Sequence, residues 1–483
     1  MLLLCASPTL ASTGPIPLIL GPKGPVSLPT GTDSWGAFRM PSGMAWNLDH
    51  RVDLHAFVFA GSITMRNPLN DYEKSSSSIA GSAGVIFAPG RPVDTDVPEG
   101  EAVDVPQGAL QRFTFGFGIY PDMGGGGDTT VRYTTFPQGV KLKSGITFVT
   151  GAFNVSYRPT KWFAVGLGLH AIYGNLDTTS LVGGSSTPLD GSPTINGVAI
   201  PGNPSYADFL NLFASDAASD PTTLFETNLS TVQFSGIISF SLRPTDWFAI
   251  GISYRPRSWD PIGFEGEASI DATATFAEAI GGLDPVIRDL FLQTLPDGGN
   301  NGFVADYDVK IKGLYVPRQA RLSMVFRPHD RVLLATELTW IEWHRAFKHS
   351  KVELSNGNNT DLNFVIGTNA INSTSKRRWR NTWTLSLYSA VAVTDDLTLR
   401  AGGSFQRNLI NGDYAGGAPQ GAVSGPMVSF GAGYWLGNWE FSTLVEHGFH
   451  TSTHGRKAEG LLASQSYYSG KQWFFHFGAS YLF

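Results

Sequence analysis

The sequence predicts an all-β fold, a closed antiparallel barrel of about fourteen transmembrane strands. First, residues 471–483 alternate, with aromatic residues such as Trp473 and Phe477 on one face and polar residues such as Gln472 and Ser480 on the other. A strand of this length and pattern suits a wall between lipid and a watery lumen. Second, the pattern recurs along the chain, which an ordinary buried edge strand would not require. Third, short turns alternate with long segments, as in outer-membrane barrels.

The strands are predicted from about residue 51 onward. In residues 163–173 and 248–254, for example, apolar residues recur at every second position. The turns that join paired strands contain Pro or Asp, and these are residues 158–162, 243–247, 327–331 and 393–397. The long segments, predicted to be extracellular, are residues 175–229, 271–303, 347–381 and 451–470. Pairing strands across the turns gives about fourteen, an even number, as a bacterial single-chain barrel requires.

Composition argues against two other classes of protein. The 483 residues contain no uninterrupted apolar run of about 18, so no transmembrane α-helix is expected. The net charge is −6 and the basic clusters are small, so nucleic acid is not an expected partner. The one basic run, residues 376–380, is expected to face outer-membrane lipid head groups or lipopolysaccharide phosphates.

The chain divides into three predicted parts. Residues 1–11 resemble the end of a secretory signal peptide with a small-residue cleavage site near Ala11. The single cysteine, Cys5, can form no intramolecular disulfide, and a lipoprotein site there is a weaker interpretation. Residues 12–49 are rich in Gly and Pro and are predicted to form a hatch inside the barrel of residues 50–483, because a barrel this wide would otherwise leak. A flexible periplasmic tail is the alternative.

With this layout, the chain resembles the outer-membrane transporters of long-chain fatty acids and hydrophobic compounds (FadL/TodX type). The order and spacing of several local matches carry the resemblance, namely residues 162–174, 249–255, 338–343, 381–383 and 397–402. The terminal Phe483, preceded by apolar residues at alternate positions, resembles the signal read by the barrel assembly machinery. The resemblance implies a monomer in the bacterial outer membrane, with a hatch and helical extracellular loops. The family's hatch motif is represented only by residues 40–43.

Two of the long segments are candidates for capturing an apolar ligand. Residues 206–213 are apolar for a loop, and residues 276–295 have apolar positions at the three- and four-residue spacing of an amphipathic helix. In the resembled family, the corresponding loops carry helices that form an apolar capture groove. The predicted lining is Phe209, Leu212, Phe213, Leu283, Ile287 and Phe291. Alternatively, the two helices pack on each other and cap the barrel.

The resemblance also implies a head-group anchor. Of the two basic positions that hold the ligand head group in the family, one aligns near Ser180 and the other near Lys351. Lys351 is therefore the predicted anchor. The missing second cation indicates either a shifted anchor or a substrate without a carboxylate, such as an aromatic hydrocarbon.

Strand phase predicts charged side chains in the lumen. If Leu322 and Phe326 face lipid, Arg321 points inward. The same test gives the full predicted set, which is Arg321, Glu337, Arg400, Glu440 and Glu446. Such charges usually pair with one another or with the hatch, and the alternative is that one cation meets a substrate carboxylate.

The third predicted strand, residues 113–121, is a candidate gate. It contains Gly116, Gly118 and Pro121, and glycines 124–127 follow it. Gly and Pro interrupt a β-ladder, and the resembled family uses a kink in this strand to open the wall sideways. A lateral exit suits an apolar ligand, which gains about 0.8 kcal/mol per methylene on leaving water. A simple strand end before a Gly-rich loop is the alternative.

The predicted function is passive uptake of long-chain fatty acids, or of other aromatic or aliphatic hydrocarbons. No cofactor, metal or catalytic residue is predicted. His447, His450 and His454 straddle a predicted strand end, which does not favour a metal site, and no nucleophile triad or phosphate loop stands out. Two other hypotheses stay open, a barrel enzyme such as a lipid hydrolase and a surface receptor or adhesin.

Overall fold

A computed structural model describes residues 23, 33–47, 50–89, 108, 110–133, 136–183, 192, 194–195, 198–199, 202, 221–281, 284–376, 379–407, 425–454 and 466–483. One closed sheet dominates these residues, beside a two-stranded sheet that pairs Thr194–Ile195 with Val198–Ala199. No α-helix in the described ranges is long and apolar enough to span a bilayer. The predicted signal remnant, residues 1–11, lies outside these ranges.

The large sheet contains eighteen segments, and four of its strands consist of two segments each, so the barrel has fourteen strands. The strands are β1 (Arg51–Asn67), β2 (Asn70–Phe87), β3 (Phe113–Val131), β4 (Val140–Thr160), β5 (Phe163–Gly183), β6 (Pro221–Thr245), β7a (Phe248–Arg255), β7b (Ile262–Asp271), β8a (Val304–Leu314), β8b (Gln319–His329), β9a (Val332–Ile341), β9b (His349–Ser355), β10a (Ile371–Lys376), β10b (Thr382–Ala392), β11 (Leu397–Gln406), β12 (Pro426–Leu436), β13 (Trp439–His454) and β14 (Tyr467–Leu482). β1 pairs with β14 and closes the ring. The predicted antiparallel barrel of about fourteen strands is confirmed.

The two faces of the wall follow the two-residue period of the strands. On β10b, Trp383, Leu385 and Leu387 are exposed on the outer face. Thr384 and Ser386, which lie between them, are buried toward the interior. This arrangement presents apolar side chains to lipid and polar ones to the lumen.

Four neighbouring strands, β7 to β10, break at the same level. The first three breaks fall at residues 256–261, 315–318 and 342–348, and in the fourth strand β10a ends at Lys376 and β10b begins at Thr382. Backbone hydrogen bonds join adjacent breaks, from Tyr315 N to Ala346 O at 3.1 Å and from Glu342 N to Arg318 O at 3.0 Å. The segments on the short-turn side, β7a, β8b, β9a and β10b, have 8, 11, 10 and 11 residues, about the length that crosses a bilayer.

The strands extend beyond the predicted membrane-spanning segments. β5 continues to Gly183 and β6 begins at Pro221, so much of the predicted extracellular segment 175–229 belongs to the wall. Above the bilayer the outward residues become polar, as at Asp177 and Glu226, while apolar residues such as Phe225 and Leu229 are buried on the inner face. The membrane pattern is therefore reversed there while the backbone stays extended. The third strand likewise continues past residue 121 to Val131.

Short helices lie inside the barrel and at its top, and one 3₁₀ helix precedes β3 on the short-turn side. They are α1 (Ser34–Arg39), two 3₁₀ helices (Pro41–Trp46 and Leu110–Arg112), α2 (Thr273–Gly281), α3 (Pro285–Gln293), α4 (Trp343–Ala346) and α5 (Thr360–Ile366). The Asp33 side chain caps α1 by accepting from Gly36 N at 2.6 Å. The predicted stripe over residues 276–295 is divided between α2 and α3, because Asp284 caps and Pro285 begins a new helix.

Candidate functional site

A compact segment, residues 33–47, lies inside the barrel. Trp35, Phe38, Met44 and Trp46 are all buried against the inner wall. The Phe38 ring stacks on Tyr120 of β3 with the ring centroids 4.6 Å apart. Trp35, Phe38, Trp46 and Tyr120 form an apolar layer inside the lumen, and we call this layer the aromatic floor.

Glycines of the wall make room for this segment. A Cβ placed on Gly166 would lie 2.5 Å from the Pro41 carbonyl carbon, and one on Gly116 would lie 2.6 Å from Met44 Sδ. A side chain at either position would push the segment away from the wall, most severely at Gly166, where the obstacle is backbone. Gly116, predicted as part of a gate, therefore also has a packing role that sequence reasoning missed.

Buried polar contacts join the segment to the barrel. Arg39 pairs with Glu337 of β9a, and Ser34 N donates to the Asp53 carboxylate of β1 at 2.7 Å. These contacts reach two separate strands, so the segment is tied across the lumen rather than along one wall. Lys23, which precedes the segment in the chain, pairs with Glu440 of β13.

All five residues of the predicted lumenal set are buried on the inner face. Arg400 Nη2 lies 3.2 Å from Glu440 Oε1, in the same cluster as Lys23. Glu446 Oε1 lies 2.7 Å from His476 Nε2. Arg321 donates to the side-chain oxygen of Gln319, while Glu337 holds Arg39.

The wall between β2 and β3 contains an interrupted ladder. Within the described strands, the two pair only from Ala83 with Ile119 to Phe87 with Phe115. They meet again at their outer ends, where Lys74 Nζ lies 2.7 Å from Asp128 Oδ1. Between these points, residues 75–82 and 120–127 face each other without ladder bonds. We call this stretch the β2–β3 window.

A bulge in β3 accompanies the window. The pairing of β3 with β4 shifts between Pro121 and Met123, which leaves Asp122 as the extra residue. The buried Asp122 carboxylate lies 2.6 Å from Arg255 Nη1 and accepts from Thr150 Oγ1 at 3.1 Å. The bulge is therefore fixed to β7a through a buried ion pair.

A groove lies on the outer face beside the lower end of the window. Its volume is about 990 Å³, and its apolar lining includes Leu54, Ala56, Ala83, Ile119 and Phe477. Leu54, Ile119 and Phe477 are exposed to the membrane side.

The top of the barrel is filled by an apolar core. Residues of α2, α3, α4 and α5 pack there with inward residues of β7b, β8a and β9b. The rings of Phe276 and Phe303 stack with centroids 3.9 Å apart. Phe291 is fully buried in this core, and Ile287 is half-buried on α3.

The other predicted site residues are not all brought together. Phe209, Leu212, Phe213 and Leu283 lie outside the described residues. Lys351 lies on the outer face of β9b, opposite the buried Val352, and its ammonium is 2.8 Å from Glu353 Oε1. The strand period directs Lys351 away from the lumen, which does not support its predicted role as a head-group anchor. Ser180, the other aligned position, is buried in β5.

Sequence reasoning also missed the aromatic floor. The strand period could have predicted that Tyr120 points inward, because it shares the inner face with Gly116 and Gly118. Trp35 and Phe38 lie in a stretch without strand periodicity, so only their apolar character signalled burial. His447 packs against Trp473 with ring centroids 4.0 Å apart, and within the described ranges no group of His, Cys, Asp or Glu could hold a metal ion.

A closed fourteen-stranded barrel with an apolar exterior and a polar interior defines the class of outer-membrane barrel channels. A sequence model of the outer membrane protein transport protein family (OMPP1/FadL/TodX) matches residues 96–449. The chain belongs to this family, as its resemblance predicted. The family consists of transport channels rather than enzymes.

Solved structures share the fold. A Pseudomonas aeruginosa FadL homologue is 16% identical, with 98% of each chain covered and a TM-score of 0.61. The Pseudomonas putida toluene transporter TodX is 14% identical, with 92% of each chain covered and a TM-score of 0.62. The Ralstonia pickettii toluene transporter TbuX is 13% identical over 96% of this chain and 99% of its own, with a TM-score of 0.61. No curated protein sequence matches the chain.

Proposed function

We propose that this chain is a passive uptake channel for hydrophobic molecules that releases its cargo sideways into the membrane through the β2–β3 window. The interrupted ladder between residues 75–82 and 120–127 carries this proposal. The cargo class is long-chain fatty acids or aromatic and aliphatic hydrocarbons. Two of the structurally similar proteins are described as toluene transporters, which agrees with an apolar cargo.

Capture takes place at the top of the barrel. The half-buried Ile287 of α3, together with the predicted Phe209, Leu212, Phe213 and Leu283, would offer an apolar surface to a ligand arriving from outside, and Phe291 lies beneath it in the core. An apolar ligand enters such a surface because it leaves water. The core around Phe276 and Phe303 would then have to yield locally as the ligand passes.

The floor directs the ligand toward the wall. Residues 33–47 obstruct the axial path, and Tyr120 joins this floor to the inner edge of the window. Gly118 and Pro121 flank Tyr120, so the gate residues and the floor meet at one place. The outer groove at Ala83 and Ile119 offers an apolar continuation on the membrane side. A lateral path avoids rehydrating the ligand, which costs about 0.8 kcal/mol per methylene.

Covalent closure of the window tests the proposal. Ile79 lies four residues beyond the last ladder pair on β2, and Gly124 lies opposite it once the bulged Asp122 is skipped. Cysteines at both positions, Ile79→Cys and Gly124→Cys, would be joined by a short thiol-reactive cross-linker. We expect uptake of toluene and of oleate into cells to fall to the level of cells lacking the protein, because the exit is closed. A reducible linker should allow recovery.

The matched control uses a ladder pair of the same two strands away from the groove. Val85→Cys and Phe117→Cys join positions that already form a ladder pair, and both side chains are exposed on the outer face. This cross-link should leave uptake unchanged. Unimpaired uptake after cross-linking positions 79 and 124, in barrels that migrate as folded protein on gels, would rule out lateral release. If only oleate uptake changed, the cargo class would be narrowed to fatty acids.

A further inference from the structure

The outer face of the barrel carries a row of basic residues where β7, β8 and β9 break. We call this row the basic ledge, and it consists of Arg257, Arg318, His344, Arg345 and Lys348. Hydrogen bonds between adjacent breaks, from Ser258 N to Val316 O at 3.2 Å and from Glu342 N to Arg318 O at 3.0 Å, hold these residues at one level. The ledge is therefore built by the strand breaks themselves.

The ledge faces away from the lumen. In α4, Trp343 is buried in the upper apolar core, whereas His344 and Arg345 are exposed. The Arg345 side chain is 71% exposed. The Arg257 guanidinium lies over the Tyr315 ring, 4.6 Å from its centroid. The barrel wall thus separates the ledge from any cargo path.

Aromatic residues place the ledge at a membrane surface. Trp259, in the first break, is 61% exposed, and Trp383, at the start of β10b, is 48% exposed. Exposed tryptophans of this kind mark the level of the lipid head groups. The ledge lies at the outer ends of the bilayer-length segments β7a, β8b and β9a, on the side of the long extracellular segments, which is the outer leaflet.

The ledge has more hydrogen-bond donors than acceptors. Two acids, Glu342 and the exposed Asp260, lie in the same breaks, and the Glu342 carboxylate lies 2.5 Å from Arg318 Nε and 3.7 Å from Arg345 Nε. Two guanidinium groups offer about ten N–H donors, whereas one carboxylate offers about four acceptor sites. An anion with several oxygens complements this arrangement, and arginine binds phosphate in two-point geometry.

We propose that the basic ledge binds a phosphate group of lipopolysaccharide. The phosphates of this lipid sit directly above its acyl chains, so a phosphate on Arg257 and Arg345 would place those chains along Trp259 and Trp383. The site would fix the height of the barrel in the outer leaflet and is independent of the transported molecule. Residues 376–380, which the sequence predicts to contact lipid phosphates, belong to the neighbouring strand β10 and are not part of the ledge.

Native mass spectrometry of the full chain in mild detergent tests this site. The protein would be titrated with bisphosphorylated lipid A, dephosphorylated lipid A and phosphatidylglycerol. In the double variant Arg257→Gln and Arg345→Gln, binding of bisphosphorylated lipid A should weaken about tenfold or more, because charge-assisted hydrogen bonds are lost. Binding of dephosphorylated lipid A should be weak in both proteins, and hydrocarbon uptake should not change.

The matched control removes two cations from the outer wall above the ledge. Lys310 and Lys312 of β8a are exposed and pair with Glu265 at 3.0 Å and Glu353 at 2.6 Å. Lys310→Gln with Lys312→Gln should leave lipid A binding nearly unchanged. If both double variants weakened the binding of bisphosphorylated lipid A equally, the binding would reflect general charge attraction, and the proposed site would be wrong. Tight binding of dephosphorylated lipid A, or preferred binding of phosphatidylglycerol, would also overturn it.

Discussion

At the scale of single residues, Glu440 is the acid on which the lumenal cations converge. Its carboxylate pairs with Lys23, lies 3.2 Å from Arg400 Nη2 and lies 3.7 Å from Arg51 Nη2. The Glu440 side chain is fully buried, so water could not stabilise the neighbouring cations if the Glu440 charge were removed. Because Lys23 belongs to the N-terminal stretch and the other two residues belong to the wall, Glu440 links the interior to the barrel.

We expect Glu440→Gln to lower the free energy of unfolding by about 3–5 kcal/mol, the usual cost of removing one partner from a buried ion pair. Lys23, Arg51 and Arg400 would stay buried and positively charged without the carboxylate that now pairs with them. Denaturant titration of the barrel in lipid vesicles measures the change. As a control, Asp395→Asn removes an acid that is 95% exposed and pairs with Arg331, which should cost about 1 kcal/mol or less. Similar losses from both substitutions would contradict the role of Glu440.

At the scale of elements, the 3₁₀ helix Pro41–Trp46 illustrates how a segment without strand periodicity is held in place. Pro41 fixes its first turn, and Ser42 N donates to Ser239 Oγ of β6 at 2.8 Å. On the neighbouring strand β5, Gly166 has no side chain, which lets the backbone of Pro41 and Ser42 pack directly against the wall. Its position therefore depends on a fit to the wall as well as on ion pairs.

Gly166→Ala should loosen this segment. The added methyl would meet the backbone of Pro41 and Ser42, and overpacking of this kind costs about 1–3 kcal/mol. If residues 33–47 plug the lumen, ion conductance of the protein in planar bilayers should rise. Gly151→Ala is the matched control on β4, where the nearest atom to the added Cβ is Ala171 O at 3.9 Å. Unchanged conductance in the folded Gly166 variant would argue against a plug.

The elements also show which features the sequence could predict. A period of two residues was enough to put Arg321 and Glu440 on the inner face, because strand geometry fixes side-chain direction locally. It could not reveal that β7 to β10 are broken, since each break is stabilised by hydrogen bonds to the next strand. It also misplaced Lys351, because above the breaks the contrast is reversed: apolar residues such as Val352 are buried inside, whereas charged residues such as Lys351 face outward.

At the scale of the whole molecule, the breaks divide the barrel into two zones. The lower zone has an apolar exterior, as at Leu387, which is 59% exposed on β10b. The upper zone has a charged exterior, as where Lys312 lies 2.6 Å from Glu353. The membrane should therefore cover only the lower zone, with the basic ledge at its outer surface.

A lysine placed in each zone of one strand tests this boundary. Leu387 is near the middle of β10b, so Leu387→Lys should put a charge at the bilayer midplane and lower the free energy of unfolding by about 2–4 kcal/mol. Thr374→Lys makes the same charge change at an exposed position of β10a, above the break, and should cost close to nothing. Denaturant titration in vesicles of one lipid composition compares them directly. Equal costs would mean that lipid reaches β10a, which would place the strand breaks, and the basic ledge with them, inside the apolar layer where a lipid phosphate cannot lie.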